Sequence, residues 1–316
     1  RAGMLCKADL TSQMVGEFPE LQGHMGRLYA LHHGEPAEVA QGIEDHYLPA
    51  FSGDAVPEHI VGVCTALADR LDTLVGCFGI GMTPSGSGDP QGLRRAVIGV
   101  LALLGERRAS LEPLFEAAMD VFHTHAHGKD YDRWTKAQGD EFRGRDALLA
   151  ELLEFARTRF KAQATRGGVS GDLVDAVLAV GEPVPVDWSA RLDALVKASR
   201  SEGFLPIMHT FKRVLNITQG SDAAMPRREA LVETASKELF DRSKEVAARV
   251  DTHVAALDYD GAFAAALTLA PAVSRFFDDV LVEDKDPKLR AARKGLLLGV
   301  AAIFRRLADF SRISTR

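Results

Sequence analysis

Glu58-His59-Ile60-Val61-Gly62-Val63-Cys64-Thr65-Ala66-Leu67-Ala68-Asp69-Arg70-Leu71-Asp72-Thr73-Leu74-Val75-Gly76-Cys77-Phe78 is the stretch that decides the fold class. Val61, Cys64, Leu67, Ala68, Leu71, Leu74, Val75 and Phe78 recur at three- and four-residue steps. That is the period of an α-helix and not the alternation of a strand. The density of apolar residues predicts a central helix with Cys64 on its buried face.

The same period extends outward. Upstream, Met4 to Val15 reads as one helix, and Pro36 opens another through Val39, Ile43 and Tyr47. Downstream, Gly79 to Pro90 is a structured loop, rich in glycine and proline. Helices are predicted over Leu93–Leu104, Leu111–His123 and Asp146–Lys161, with a short one from Ser170 to about Val180. Residues 124–145 are polar and show no clear period. Gly181-Glu182-Pro183-Val184-Pro185 resists helix continuation and is the expected boundary. Beyond it the pattern predicts helices over Trp188–Ala198, Phe204–Ile217, Arg227–His253, Asp260–Leu269, Val273–Val282 and Lys288–Phe310. No stretch alternates long enough to require a sheet. The expectation is an all-α protein of two helical domains, residues 1–182 and 186–316.

Composition narrows the function. The chain has 316 residues, 46% of them hydrophobic, a formal net charge of -6 and a pI near 6.0. A wholly basic nucleic-acid coat is excluded. The three cysteines, Cys6, Cys64 and Cys77, form no CxxC pair, which fits a reducing, cytoplasmic setting. No apolar run is long enough to span a bilayer. The chain opens on Arg1-Ala2-Gly3-Met4, neither a methionine start nor a signal peptide, so it is expected to be part of a longer protein.

Charge is unevenly spread. Residues 1–60 hold nine acids, three basic residues and five of the ten histidines, whereas residues 285–316 hold nine basic residues and two acids. The closing segment should therefore attract anions. Lys285, Lys288, Arg290, Arg293 and Lys294 lead into the last helix, and Arg305, Arg306 and Arg312 close it. Arg290, Arg293 and Lys294 stand at i,i+3 and i,i+4, so helical spacing puts them on one surface, suited to RNA phosphates. Arg94 and Arg95, delivered by the glycine-rich loop, have two readings: contact with RNA phosphate or a partner subunit, or an internal salt bridge. Phe276 and Phe277 read either as core or as base-stacking platforms.

The histidines and carboxylates of the first half (His24, His32, His33, Glu44, Asp45, His46, Asp69 and Asp72) admit a metal phosphohydrolase reading. Neither HExxH nor an HD dipeptide occurs. The competing reading pairs Asp69 and Asp72 with Arg70, Arg94 or Arg95, or makes them loop caps. His123, His125 and His127 could take a metal, or form a polar helix end. The loop Pro84–Pro90 lacks the order of a phosphate-binding loop and reads as a tight turn.

Longer runs carry a resemblance. They are Lys7-Ala8-Asp9-Leu10, Met14-Val15-Gly16-Glu17-Phe18-Pro19-Glu20-Leu21-Gln22-Gly23, and Tyr47-Leu48-Pro49 with Gly53-Asp54. Ala68-Asp69-Arg70-Leu71-Asp72-Thr73-Leu74, Phe78-Gly79-Ile80-Gly81 and Leu93-Arg94-Arg95 follow, then Lys212-Arg213-Val214, Asn216-Ile217, Phe276-Phe277-Asp278 and Leu289-Arg290 with Arg293. In these the chain resembles the C-terminal half of the beta subunit of bacterial-type tetrameric glycyl-tRNA synthetase. It departs from the family's pattern at Ser85, at Gln91-Gly92, and at Ala292 and Lys294. The resemblance implies an HD-like helical domain, its metal ligands lost, followed by a DALR-type anticodon-binding helical domain. It also implies tRNA(Gly) and the alpha subunit as partners in an alpha2beta2 assembly. No cofactor is expected in this portion, with ATP and Mg2+ at the separate alpha subunit. The expected tRNA-binding residues are Lys285, Lys288, Arg290, Arg293, Lys294, Arg305, Arg306, Arg94 and Arg95, with no catalytic or metal residue. The alternatives are an active HD-type phosphohydrolase, and a scaffold that binds the alpha subunit without touching tRNA.

Overall fold

A computed structural model describes residues 1–125, 144–201 and 204–314, and the side chains of 122–125 and 207 fall outside what it describes. Among the described residues every regular element is helical, and the one β-bridge, Ser85 to Gly88, is isolated. The fold class is all-α, as the periodicity predicts. Internal contacts divide the chain into two compact units: 1–162 with 183–186, and 163–182 with 187–316.

The first unit holds α1 (Ala2–Leu5), α2 (Gln13–Glu17), α3 (His24–His32), α4 (Ala37–Asp45), α5 (Ile60–Gly79), α6 (Leu93–Leu103), α7 (Leu111–His125) and most of α8 (Arg145–Arg166). The quoted stretch is α5, and α4, α6 and α7 pack around it. Its C-terminal half buries Leu71, Leu74, Val75 and Phe78 as expected, and Phe78 meets Phe155 of α8 with ring centroids 5.0 Å apart. Its N-terminal half turns a different stripe inward. Gly62, Val63 and Ala66 are buried, whereas Cys64 is exposed. Here the helix is apolar all round, so periodicity singles out no face, and close packing chooses one instead. A Cβ on Gly42 or Gly62 would collide with Val61 or Asp45, so the two glycines let α4 and α5 touch.

Where the period predicts one helix over Met4–Val15, the chain makes α1, a 3-10 turn at Ala8–Thr11 and then α2. Asp9 explains the break. Its buried carboxylate accepts from the backbone N–H of Gly23 at 2.6 Å and of Gly26 at 3.2 Å, capping the start of α3. Ser12 then caps α2 by accepting from Val15 N at 3.3 Å.

The second unit contains α9 (Gly171–Leu178), α10 (Pro185–Ser199, within this unit from Asp187), α11 (Phe204–Thr218), α12 (Thr234–Ala255), α13 (Tyr259–Leu267), α14 (Ala270–Asp279) and α15 (Pro287–Arg305). The long helix α12 contacts α13, α14 and α15, and α11 lies on α15. Phe211, Phe304 and Phe310 form the aromatic centre, with centroids 5.2 to 5.9 Å apart. Gly295 and Gly299 open a groove along α15 for the backbone at Ala224 and the Met225 side chain. Buried Arg191 donates to the carbonyls of Arg306 at 2.7 Å and Leu307 at 3.3 Å, which closes the C-terminal end of α15. Its charge is balanced by Asp187 at 2.8 Å, which also accepts a hydrogen bond from the Tyr259 hydroxyl. Burial is the first cause that holds the Tyr259 phenol well above its ordinary pKa, and the hydrogen bond to Asp187 adds to it.

Candidate nucleic-acid interface

α15 starts where Asp286 accepts from Lys288 N at 2.8 Å, with Pro287 in its first turn. This cap sets where the basic side chains emerge. Lys285 and Lys288 are exposed, and neither ammonium has a partner among the described residues. Arg290 is half-buried and donates to the Asp284 carbonyl at 3.2 Å. Lys294 pairs with Glu283 at 2.5 Å.

Arg293 turns inward. Its side chain is 7% exposed. Nη1 donates to the Leu281 carbonyl at 2.8 Å and to Asp284 Oδ2 at 2.7 Å, and Nη2 donates to Glu233. Burial pushes the Glu233 carboxyl up, but hydrogen bonds from Arg293 and Ser236 outweigh it and hold that carboxyl below its usual range. The Arg293 hydrogen bond does the same to Asp284, more directly. The expectation of one shared exposed face for Arg290, Arg293 and Lys294 therefore does not describe this helix. Arg293 lies on the inner side, where the segment before α12 and the turn before α15 bring carboxylates to it.

At the far end of α15, Arg305 is exposed and has no partner among the described residues, whereas Arg306 pairs with Asp251 at 2.6 Å. Lys288 and Arg305 are separated by about 25 Å of helix at 1.5 Å per residue. The basic segment thus presents cations without a carboxylate partner near both ends of one helix, with Arg293 and Lys294 neutralised between them and Arg290 held by a carbonyl.

Phe276 is fully buried and Phe277 half-buried, and they meet edge-on at 5.7 Å. Phe276 is core. Over the Phe277 ring lies Arg213 of α11, its guanidinium carbon 4.0 Å from the centroid. Nothing in the sequence signals this pair, because its members are distant along the chain.

In the first unit, Arg94 and Arg95 open α6. Asp89 accepts from Leu93 N at 2.8 Å and Arg94 N at 3.0 Å, so it serves as the helix cap rather than as an arginine's salt-bridge partner. Arg94 Nη2 donates to the Gly86 carbonyl at 2.7 Å, and Arg95 is exposed with no partner among the described residues. The glycine-rich loop makes the expected tight turn, with Gly88 N donating to Ser85 O at 2.9 Å. Arg70 pairs with neither Asp69 nor Asp72. Its guanidinium donates to the carbonyls of His46, Tyr47, Pro49 and Ala66 at 2.9 to 3.1 Å, tying the turn after α4 to α5. Asp69 instead pairs with Lys7 at 3.1 Å.

Two of the histidines proposed as ligands, His24 and His46, are also engaged. His46 is buried, with Nδ1 2.5 Å from the Ile43 carbonyl, to which it donates, and Nε2 2.9 Å from Lys7 Nζ, from which it accepts. Burial holds its pKa below the ordinary histidine value, so the neutral ring fits this role. His24 and Arg27 both contact Glu44, at 2.8 and 2.5 Å. Among the described residues no three His, Cys, Asp or Glu side chains are placed to hold a metal ion. His127 and the side chains of His123 and His125 lie outside the described residues. No described helix is long and apolar enough to cross a membrane.

Residues 1–179 match the family described as glycyl-tRNA synthetase beta subunit. The glycine–tRNA ligase beta subunit of Anaeromyxobacter sp. strain K is 42% identical over 318 residues, which cover 99% of this chain and 43% of that protein. The beta subunit of Citrifermentans bemidjiense is 37% identical over 317 residues, covering 99% and 44%. That of Aromatoleum aromaticum is 41% identical over 317 residues, covering 99% and 43%. The chain spans less than half the length of these curated relatives.

Proposed function

The chain belongs to the glycyl-tRNA synthetase beta subunit family, and on that premise we propose that it is a tRNA-binding portion of such a subunit, one that does not itself carry out the chemistry. In this reading it holds tRNA(Gly) in the cytoplasm while the alpha subunit, with ATP and Mg2+, attaches glycine, the two subunits assembling as alpha2beta2. Alone, the chain has no aminoacylation activity.

The observation that carries the reading is the pair Lys285 and Lys288. Each extends into solvent at the capped start of α15, while Arg293 and Lys294, one turn or so further on, are bound to acids. Free ammonium groups bind phosphate by releasing counterions, a sequence-independent attraction that weakens as salt rises. Arg305, and Arg95 in the first unit, offer further cations with no partner among the described residues.

A mobility-shift titration against tRNA(Gly) and a mismatched tRNA, over a salt series, tests it. Wild type should bind with a steep salt dependence. The double variant K285A/K288A should bind more weakly and reduce the logarithmic salt slope by about two, about one for each phosphate that no longer meets an ammonium. Salt-independent binding, or no binding to tRNA(Gly), counts against the reading. Co-elution with the alpha subunit but no RNA binding would favour the scaffold instead.

A further inference from the structure

Arg213 and Phe277 meet from two helices, α11 and α14, outside the basic segment, with the guanidinium over the ring. The guanidinium carbon stands 4.0 Å from the phenyl centroid. The phenyl is anchored from the protein side by Phe276, which is fully buried and meets it at 72°. Arg213 is exposed, and its one partner among the described residues is that ring. Elsewhere in this unit the exposed Arg228, Arg275, Arg306 and Arg312 each have a carboxylate, whereas Arg305, like Arg213, has none among the described residues. His209 and Asn216 stand four residues before and three after Arg213 on α11, so the three share one helix face, and all three are exposed.

A guanidinium is planar and can stack on both faces. Here the guanidinium lies over the Phe277 ring while the Arg213 residue remains exposed to solvent. A phosphate would use only the N–H edge, whatever lay beneath. The ring beneath fixes the plane of the group, and it is stacking that makes use of a fixed plane. We propose that this face is a subsite for one unstacked nucleobase of RNA, sandwiched on Arg213 over Phe277, with Asn216 and His209 meeting the edge of the base. The subsite rests on the tRNA-binding reading above and adds the place and manner of a base contact. A lysine at position 213 would keep the charge and lose the plane, so the two modes of contact can be separated.

The test uses the full 316-residue chain. Its probes are tRNA(Gly) carrying 2-aminopurine at one unpaired position at a time, and a blunt RNA duplex. With wild type, one labelled position should change fluorescence on binding. In R213K and F277L that change should vanish, tRNA affinity should fall about tenfold, within the range of one stacked base, and duplex binding should stay as in wild type. R213K alters an exposed side chain and preserves its charge, so it keeps the test sound if F277L melts early. R213K binding tRNA as tightly as wild type, with the same fluorescence change, overturns the subsite, because an ammonium then suffices. If R213K is silent while K285A/K288A still lowers affinity and salt slope, the subsite fails and the tRNA reading stands. If wild type binds neither RNA, both fail.

Discussion

Replacing Arg293 by alanine separates a lock in the fold from a contact with RNA. The side chain is 7% exposed and its guanidinium holds three acceptors: the Leu281 carbonyl, Asp284 and Glu233. Breaking a buried pair from one side costs about 3–5 kcal/mol where the abandoned charge cannot reach water. Here Glu233 and Asp284 are 25% and 29% exposed and can partly rehydrate, which places the whole substitution at the lower end, at about 3 kcal/mol. Urea denaturation followed by the fluorescence of buried Trp188, with Trp134 replaced by Phe, reads the second unit selectively. The variant should unfold at markedly lower urea. The difference should also depend on pH. Glu233 and Asp284 have folded pKa values below their unfolded ones. Their contribution is therefore complete above the unfolded values, near 4, and is lost as pH falls through the folded values. The gap between wild type and variant should close over that acid range. An unchanged urea midpoint at neutral pH, together with a tRNA salt slope lower by about one, would refute the lock and return Arg293 to the RNA face.

Two further substitutions probe the packing. Gly295→Ala directs a Cβ into the Ala224 carbonyl oxygen, a backbone atom that cannot swing aside, and should destabilise the second unit by about 1–3 kcal/mol in the same Trp188 assay; Gly3→Ala, where nothing lies within 4 Å of the new Cβ, should be near neutral in thermal melts. Gly99→Ala forces a Cβ against the Arg70 side chain, so in a double-mutant cycle with Arg70→Ala the two should couple by about 1 kcal/mol or more, and simple additivity in melting experiments would show that Arg70 does not depend on that space.

The helices are legible because an amphipathic helix is a local object. Apolar steps of three and four residues, prolines at helix starts and a glycine-rich stop are properties of a few neighbouring residues, and they predict α5, α6, α11 and α15 to within a few positions. Legibility fails where the local signal is ambiguous or the cause is remote. Periodicity places Cys64 in the core because the start of α5 is apolar on every side. The single helix expected over Met4–Val15 is broken by Asp9, whose acceptor role is defined only when Gly23 and Gly26 fold back onto it.

The site divides along the same line. The sequence by itself determined the all-helical class, the family and the concentration of cations in residues 285–316, since each is carried by residue identity, order and short-range period. It also put Arg290, Arg293 and Lys294 on one helical surface, because spacing along a helix is all that a lone helix provides. Which of those charges remains free was decided by the tertiary structure. Glu233 reaches Arg293 from sixty residues away, Glu283 takes Lys294, and Arg213 comes to rest on Phe277 from another helix. A cation stays available to an anionic partner when no acid in the fold has met it first, and that depends on distances through space that no period along the chain encodes.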